Sequence, residues 1–302
     1  MKKTTFVLLL LYSSIHAFTP IIMINKPNTI QPKLKYYYEI TKPKYSPYSF
    51  GLPLVGTYIS SNNIFAIAHP QVLLTGMISL LISANYIIMN IYHNHKNKIN
   101  KDDEDIILKN RLLKREDILK MYSILNIVSF YLIIYFMKSY LIKILLVNNI
   151  VLSYIYTPYI NRIPLLKNIA KAGIISQSLI LGSIASNIYS CSLLPATLYV
   201  FSLIMWKDLN TDIINLYKDK KYKIKTLPTL IGVFHTHLLS FFFLLLGILI
   251  PYGTKSHLFI LLHSPLILNS IRLIYTRKII DKKYLSISNV IMTMSGIHMC
   301  LI

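Results

Sequence analysis

The feature that most constrains this chain is a series of nine apolar segments, each near the length needed to cross a lipid bilayer as a helix. A transmembrane helix needs about 20 apolar residues to cross ~30 Å of hydrocarbon. With 54% hydrophobic and only 14% charged residues among 302, the chain lacks the polar surface of a soluble protein of this size. We therefore predict an all-α, polytopic membrane protein with nine transmembrane helices. The segments are roughly 49–68, 71–92, 118–137, 140–158, 169–187, 191–206, 227–250, 256–274 and 285–302.

Lysine and arginine lie almost entirely on one side of this predicted topology. The connections after even-numbered segments hold 22 of them, and those after odd-numbered segments hold three, Lys138, Lys143 and Lys255. Such a split is what the positive-inside rule expects for nine spans with the N-terminus on the basic side. The net charge of +21 therefore indicates topology and anionic lipid headgroups rather than nucleic acid.

The N-terminus has the composition of a targeting sequence. Residues 1–17 combine a basic start, a short apolar stretch and a small Ala17, which is typical of a signal peptide. Residues 18–47 form a basic, transit-like arm with Glu39 as its only acid, and residues 48–302 form the membrane domain. Together, residues 1–17 and 18–47 resemble the two-part leaders of proteins sent to apicoplast-like plastids of secondary origin. The alternatives are another organellar membrane, or an ordinary secretory signal followed by a basic juxtamembrane arm.

The acidic residues are few and concentrated. Nine of the eleven lie in two connections that face the same predicted side of the membrane: Asp102, Asp103, Glu104, Asp105, Glu116 and Asp117 after the second span, and Asp208, Asp212 and Asp219 after the sixth. Carboxylate oxygens suit Mg²⁺, which usually binds through one or two carboxylates together with substrate phosphates. Two acidic connections among lysines therefore predict a site for a divalent cation and a phosphorylated ligand.

The second acidic connection has a helical spacing. On a continuous helix Asp208, Asp212, Asn215 and Asp219 fall at about 0°, 40°, −20° and 20°, which places them on one face. Charges at a membrane boundary are costly unless they face a cavity or a partner. The alternative is a solvated interfacial helix whose acids offset the neighbouring lysines.

The sequence "DKKYKIKTLPTLIG", residues 219–232, resembles the second conserved segment of the UbiA-type intramembrane prenyltransferases. Asp208, Asn215 and Asp219 match the acidic pattern of the 4-hydroxybenzoate polyprenyltransferase branch. Asp212, Asn215 and Asp219 match the homogentisate and chlorophyll synthase branch, with Asn215 in place of an acid. Lys223 stands where many relatives carry Gly. Weaker similarities in "ITKPKYSPYSFG" and "YIYTPYINRIPLLKN" extend the resemblance over residues 40–302 and imply a UbiA-like nine-helix bundle.

The first aspartate motif of that family is degenerate in this chain. The second span ends in "IIMNIYHNHKNKINK", whose "KINK" resembles the segment that follows the motif in homogentisate prenyltransferases. In that register the motif positions are Met89, His93 and Asn97. A shift by one residue gives Asn90, Asn94 and Lys98. Neither register contains a carboxylate.

Three interpretations of this loss are open. The acidic run at 102–105 folds back as a replacement, or the second motif suffices with His93, His95 and lysines holding the diphosphate. The third interpretation is that the protein has kept the fold and lost the reaction.

The resemblance implies transfer of an isoprenoid chain from a prenyl diphosphate to an aromatic acceptor, with Mg²⁺ as cofactor and membrane lipid as surroundings. It implies Asp208, Asp212 and Asp219 as the catalytic, metal-binding acids, and Tyr154 and Tyr156 as the groups that contact the acceptor or stabilise an allylic cation. The residues implied in diphosphate binding are Asn215, Lys218, Lys220, Lys221, Lys225, Arg162, Lys167, His93, Asn97 and Asn90.

Three functions are compatible with these residues. The first is a homogentisate-type prenyltransferase of prenylquinone synthesis, favoured by "KINK" and by the leader. The second is a 4-hydroxybenzoate polyprenyltransferase or a chlorophyll synthase-like enzyme, the former favoured by Asp208. The third is a catalytically impaired protein of the same fold that binds isoprenoid lipid.

Overall fold

The structure is a computed structural model that describes residues 32–41, 46–96, 114–188, 190–252, 257–279, 284–285, 287–288 and 290–291. Regular structure in these residues is helical, which confirms the predicted all-α class. We number the helices α1 to α11: Pro32–Ile40, Ser46–Ser61, Pro70–Lys96, Arg115–Phe136, Tyr140–Tyr156, Leu166–Ala185, Leu193–Ile214, Leu216–Lys221, Leu227–Leu230, Gly232–Tyr252 and His257–Thr276. Two short 3-10 turns, Ile64–Ala68 and Ile160–Arg162, follow α2 and α5.

Eight of the nine apolar segments coincide with helices, and most of the ninth, 285–302, lies outside the described residues. The first segment is divided, because α2 ends at Ser61 and a 3-10 turn follows a residue with positive φ, Asn62. Among the described residues, four helical stretches are long and apolar enough to cross a membrane: Pro70–His93, Arg115–Phe136, Gly232–Ile250 and Phe259–Thr276, with Tyr140–Tyr156 a shorter apolar helix. The membrane-spanning character is thus clear, and the count of nine spans stays a prediction.

The described chain divides into two compact units. The first contains residues up to Pro158 together with Ser178–Tyr189, and the second contains Tyr159–Gln177 and everything from Ser190 onward. The division falls within α6, so the two halves of this helix belong to different units.

The first unit is built around two apolar clusters. One joins α3, α4, α5 and the end of α6 through residues such as Ile78, Leu146 and Leu181, all of them buried. The other joins α1, α3 and α4, and its members include Ile40 and Met89. Helix α1 lies within the predicted N-terminal arm, yet Ile40 is 2% exposed, so the end of this arm packs into the first unit.

Helix α2 approaches the end of α6 at backbone distance. A Cβ atom on Gly182 would lie 1.7 Å from the carbonyl oxygen of Pro53, and one on Gly56 would lie 2.0 Å from that of Leu179. Thr57 donates a hydrogen bond to the Gly182 carbonyl at 2.8 Å. Small residues permit such contacts, which are a main source of helix association in lipid because no hydrophobic force acts there between helices.

The second unit has its core between α7, α10 and α11. Tyr199, Trp206, Leu244 and Leu266 lie in one buried apolar cluster. Hydrogen bonds cross it: the Tyr199 hydroxyl lies 3.0 Å from Nε2 of His263, whose Nδ1 lies 2.8 Å from the Phe259 carbonyl. Further along α7, Trp206 donates to Ser270 at 3.4 Å and Asn210 donates to Ser240 at 2.6 Å. These contacts hold α7 in place up to the turn where its acidic residues begin.

Candidate functional site

The acidic end of α7 packs on the beginning of α6 through two ion pairs. The Nζ atom of Lys167 lies 2.7 Å from Oδ1 of Asp212, and the Nζ atom of Lys171 lies 2.7 Å from Oδ1 of Asp208. Asn168 adds a hydrogen bond from Nδ2 to Oδ2 of Asp212 at 3.2 Å. We call these five side chains the lysine–aspartate ladder.

The spacing of the ladder follows from helical geometry. Lys167 and Lys171 are four residues apart on α6, and Asp208 and Asp212 are four apart on α7, so each pair occupies one face of its helix. The first lysine pairs with the second aspartate and the second lysine with the first aspartate, as antiparallel helices require. Two rungs one helical turn apart therefore connect the two helices.

Asp208 and Asp212 differ in how many of their carboxylate oxygens accept hydrogen bonds. Both oxygens of Asp212 accept hydrogen bonds within the ladder. On Asp208 only Oδ1 is engaged, and Oδ2 is buried with no hydrogen-bond partner among the described residues. A buried carboxylate oxygen without a partner is costly and is rare in native proteins, so it marks a position where a ligand or ion supplies the missing contact.

Burial is high throughout this acidic end. Asp208, Asp212 and Asp219 are 7%, 8% and 4% exposed, which contradicts the alternative of a solvated interfacial helix for these side chains. Lys207 precedes Asp208 and is partly buried. Burial lowers the pKa of Lys207, nearby Lys171 lowers it further, and Asp208 acts in the opposite direction. The charged form of Lys207 is therefore disfavoured, and an additional anion nearby would stabilise it.

The predicted continuous stripe is interrupted at Asn215. Helix α7 extends the sixth apolar segment through Ile214, and Asn215, with φ −86° and ψ 2°, separates it from α8. Asp219 therefore lies on a separate short helix. Among the described residues no three His, Cys, Asp or Glu side chains are grouped so as to hold a metal, and the metal role of all three aspartates together stays a prediction.

The connection after α8 explains one departure from the family pattern. Lys223 has a φ of 54°, in the left-handed region, and follows Tyr222, the C-cap of α8. Its N–H donates to the Lys220 carbonyl, and the Ile224 N–H donates to the Asp219 carbonyl. This is the Schellman pattern of helix termination, in which glycine is the usual residue because it has no Cβ. Lys223 thus fills a position whose backbone favours the Gly found in many relatives.

The remaining predicted residues of the second unit lie near the ladder in sequence but are more open. Lys218 is partly exposed, and Lys220, Lys221, Lys225 and Arg162 are exposed. Lys221 lies over the ring of Tyr222, with Nζ 5.8 Å from the ring centroid. Exposed lysines and arginines at a membrane boundary are suited to contact a charged headgroup from the aqueous side.

The predicted residues of the first unit are placed as follows. Tyr156 is buried and packs edge-on against Tyr86 at 4.8 Å, whereas Tyr154 is 57% exposed. Asn90 and His93 are partly buried on α3, and the His93 ring contacts that of Tyr92. Asn97, His95 as a side chain, and the acidic run 102–105 lie outside the described residues.

The first positions of the two registers of the degenerate motif have different surroundings. Met89 is 5% exposed and lies in the apolar cluster with Ile40, Ile118 and Tyr122. Asn90 is polar and partly buried. Which register applies stays a prediction.

Two residues of the ladder, Asn168 and Lys171, were not predicted to belong to the site. The signal that would have found them is present in the sequence. Lys167 and Lys171 repeat at the interval of Asp208 and Asp212, and the two segments belong to consecutive, hence antiparallel, predicted spans.

The donor set fits a single Mg²⁺ ion. Mg²⁺ prefers oxygen ligands and keeps several water molecules, so one carboxylate oxygen with substrate phosphate is a usual protein contribution. Oδ2 of Asp208 is such an oxygen, and it has no competing hydrogen bond.

Comparison with known proteins identifies the architecture. The model of the UbiA prenyltransferase family matches residues 50–297. A search of curated proteins found no match. Among solved structures, the chain is similar to digeranylgeranylglyceryl phosphate synthase, with a TM-score of 0.69 and 21% identity over 89% of this chain and 99% of that one.

The chain is also similar to a UbiA homologue from Archaeoglobus fulgidus. Its structure bound to GPP and Mg²⁺ gives a TM-score of 0.62 at 12% identity, over 88% of this chain and 99% of that one. Its structure bound to DMAPP and Mg²⁺ gives 0.63 at 13% identity, over 88% and 97%. The helical fold, the ladder of acidic and basic residues and the family match over most of the chain agree, and the protein belongs to the UbiA prenyltransferase family.

Proposed function

We propose that the protein transfers an isoprenoid chain from a prenyl diphosphate to an acceptor within the membrane. The observation that carries the proposal is the buried Asp208 carboxylate, which has one oxygen held by Lys171 and the other without a partner in the described part of the chain. Family membership supports isoprenoid transfer as the reaction class. The bound GPP, DMAPP and Mg²⁺ of the archaeal homologue support a prenyl diphosphate and Mg²⁺ as ligands.

In the proposed reaction the bond between the isoprenoid carbon and the diphosphate oxygen breaks, and the electron pair leaves with the diphosphate. A bond then forms between that carbon and the acceptor, which loses a proton. Mg²⁺, when bound, would neutralise the charge that grows on the diphosphate. Lys167 and Lys171 hold the aspartates in position, and the exposed Arg162, Lys220 and Lys225 contact the diphosphate from the aqueous side.

The acceptor class is a narrower part of the proposal. The "KINK" sequence at 98–101 supports an aromatic, homogentisate-type acceptor, and the match of Asp208 supports 4-hydroxybenzoate. A chlorophyll synthase-like acceptor shares the pattern of Asp212, Asn215 and Asp219. The similarity to digeranylgeranylglyceryl phosphate synthase adds a glyceryl phosphate lipid as a non-aromatic acceptor to be tested.

A second candidate function is binding of isoprenoid lipid without catalysis. The observation that favours it is the absence of carboxylates from the first motif in both possible registers. His and Asn are poor substitutes for carboxylates around Mg²⁺.

The test is an assay of the full chain reconstituted in lipid nanodiscs. Labelled geranylgeranyl diphosphate and Mg²⁺ are incubated with homogentisate, 4-hydroxybenzoate, a chlorophyllide or a glyceryl phosphate lipid. A prenylated product that disappears in Asp208→Asn and persists in the surface variant Lys138→Met supports the enzyme and names its acceptor. Diphosphate binding with no product for any acceptor supports the lipid-binding alternative, and no binding at all contradicts both.

The location of the protein is part of the same proposal. We propose a plastid-type membrane, on the basis of the leader-like composition of residues 1–47. Fusion of these residues to a fluorescent protein tests it, since an ordinary secretory signal sends the fusion to the secretory pathway instead.

A further inference from the structure

The lysine–aspartate ladder carries an inference about how the diphosphate is held, which rests on the function proposed above. We propose that the prenyl diphosphate binds with a single Mg²⁺ ion, and that Lys167 and Lys171 supply the positive charge that further cations would otherwise provide. The ladder is thus a binding element for the phosphates as well as a structural contact.

The first argument is the charge balance of the ladder. Two carboxylates are matched by two ammonium groups, each at 2.7 Å, and Lys207 adds a further basic side chain next to Asp208. A site that attracts several divalent cations before its substrate needs an excess of negative charge. The ladder has none, so it attracts an anion such as a diphosphate more readily than a series of cations.

The second argument is the number of carboxylate oxygens available. Of the four oxygens on Asp208 and Asp212, three accept hydrogen bonds from Lys167, Asn168 and Lys171. The fourth, Oδ2 of Asp208, has no partner and can serve one ion. A second ion on these two residues would first have to displace a lysine.

The third argument comes from the first motif. Neither Met89, His93 and Asn97 nor Asn90, Asn94 and Lys98 includes a carboxylate. The motif that would be expected to bring ligands for a further Mg²⁺ ion brings none in either register, because nitrogen and amide groups suit this ion poorly.

The two lysines have different exposures, which suggests different roles. The Lys167 side chain is 11% exposed, and its partner Asp212 is also held by Asn168. The Lys171 side chain is 39% exposed, so it is better placed than Lys167 to turn toward a phosphate. We therefore assign the phosphate contact to Lys171 and the positioning of Asp212 to Lys167.

The experiment counts metal ions and measures diphosphate affinity separately from turnover. The full chain in nanodiscs is titrated with geranylgeranyl diphosphate, either in Mg²⁺ or in EDTA, by calorimetry. Fluorescence provides a second signal, because the only tryptophan, Trp206, is fully buried two residues before Asp208. Mn²⁺ replaces Mg²⁺ for counting by electron paramagnetic resonance.

We expect one Mn²⁺ ion per chain in the presence of the diphosphate, and measurable diphosphate binding in EDTA. Lys171→Met should weaken the EDTA-resistant binding about ten- to a hundredfold, which is the value of one charge-assisted hydrogen bond. Lys171→Arg, which keeps the charge, should retain most of it. Lys138→Met, which removes an exposed lysine of the first unit, should have no effect.

Two bound Mn²⁺ ions, or an unchanged affinity of Lys171→Met in EDTA, overturns this inference. In either case, binding of the diphosphate in Mg²⁺ leaves the proposed function standing. Absence of binding under every condition overturns both. Monodisperse elution of Lys171→Met, and a melting temperature well above that of the binding experiment, guard against misfolding as the cause of a loss.

Discussion

Lys171 donates a hydrogen bond to Oδ1 of Asp208 at 2.7 Å, while Oδ2 of the same carboxylate is buried without a partner. Asp208 therefore forms an ion pair through one carboxylate oxygen, and its other oxygen remains available to bind a ligand. Asp212, one turn further along α7, has both oxygens engaged by Lys167 and Asn168. The two aspartates thus have separate tasks, and their variants should behave differently.

Asp208→Asn should lower the Mg²⁺-dependent activity about a hundredfold or more, as removal of one electrostatic contact in an active site does. The amide oxygen can still accept from Lys171, but an NH₂ group then takes the position of Oδ2 and repels a cation. The prenyltransferase assay in nanodiscs measures the loss. Lys138→Met, at an exposed position outside both acidic connections, is the control, and equal losses in the two variants would refute the assignment.

Lys167→Met should destabilise the protein more than Lys171→Met. The side chains alone of Lys167 and Asp212 are 11% and 12% exposed, and breaking a buried pair leaves an uncompensated charge that costs about 3–5 kcal/mol. Lys171 is 39% exposed, so water compensates part of its loss and about 1–2 kcal/mol is expected.

Thermal unfolding in detergent, followed by Trp206 fluorescence, compares the two lysine variants. The double variant Lys167→Met with Asp212→Leu should recover part of the stability, because it removes the orphaned carboxylate. If the more exposed Lys171 proved the more important for stability, the burial argument would be wrong.

Two glycines of α6 should respond in opposite directions to alanine. Gly182→Ala places a Cβ 1.7 Å from the Pro53 carbonyl oxygen, which forces α2 away and costs about 1–3 kcal/mol or more. Gly173 has nothing within 4 Å of the same position, so Gly173→Ala should be neutral or stabilise the helix by about 0.5–1 kcal/mol. Melting temperatures of the two variants provide the comparison, and a destabilised Gly173→Ala would contradict it.

Lys207→Met should stabilise the protein at neutral pH. The pKa of Lys207 is lowered by burial first and by Lys171 second, against a smaller opposing effect of Asp208, so its charged form is disfavoured in the folded state. The unfolded chain therefore binds the proton more tightly, and the stability of the parent protein rises with pH between the lowered pKa and that of a free lysine. Lys207→Met removes this dependence.

Unfolding temperatures measured from neutral pH to about pH 10, near the free lysine pKa, test this difference. The advantage of Lys207→Met should shrink as the pH rises. Lys220→Met, at an exposed position, should show no such trend. An advantage that grew with pH would have the wrong sign.

The predicted topology places Cys191 on the opposite side of the membrane from Lys220. Cys191 is exposed and follows the fifth apolar segment, whereas Lys220 belongs to the basic connection after the sixth. In a Cys300→Ser background, a membrane-impermeant maleimide should label Cys191 from one side of sealed vesicles. In the same background, the variant that combines Cys191→Ser with Lys220→Cys has its only cysteine at position 220. The maleimide should label this cysteine from the other side of the vesicle membrane. Labelling of both positions from the same side would exclude the predicted arrangement of these spans.

The sequence alone determined the features that depend on local pattern. Apolar runs of about 20 residues predict helices, because only a helix satisfies the backbone within lipid, and eight of nine coincide with observed helices. The placement of Asp208 and Asp212 one turn apart on the same helix was readable in the same way. The basic side of the membrane stays a prediction. The Gly-preferring position of Lys223 was also visible, although its positive φ was not.

The tertiary structure decided which side chains meet. Helical periodicity assigns Lys167 and Lys171 to one face of α6, but it does not say which neighbouring helix that face contacts. Only the packing of α6 on α7 pairs these lysines with the aspartates, adds Asn168 and leaves one oxygen of Asp208 without a partner. The same holds for Met89, whose place in an apolar cluster depends on α1 and α4, and for the interruption at Asn215. The physical reason is that a periodic pattern describes the surface of a single helix, whereas contacts between helices depend on residues far apart in the chain.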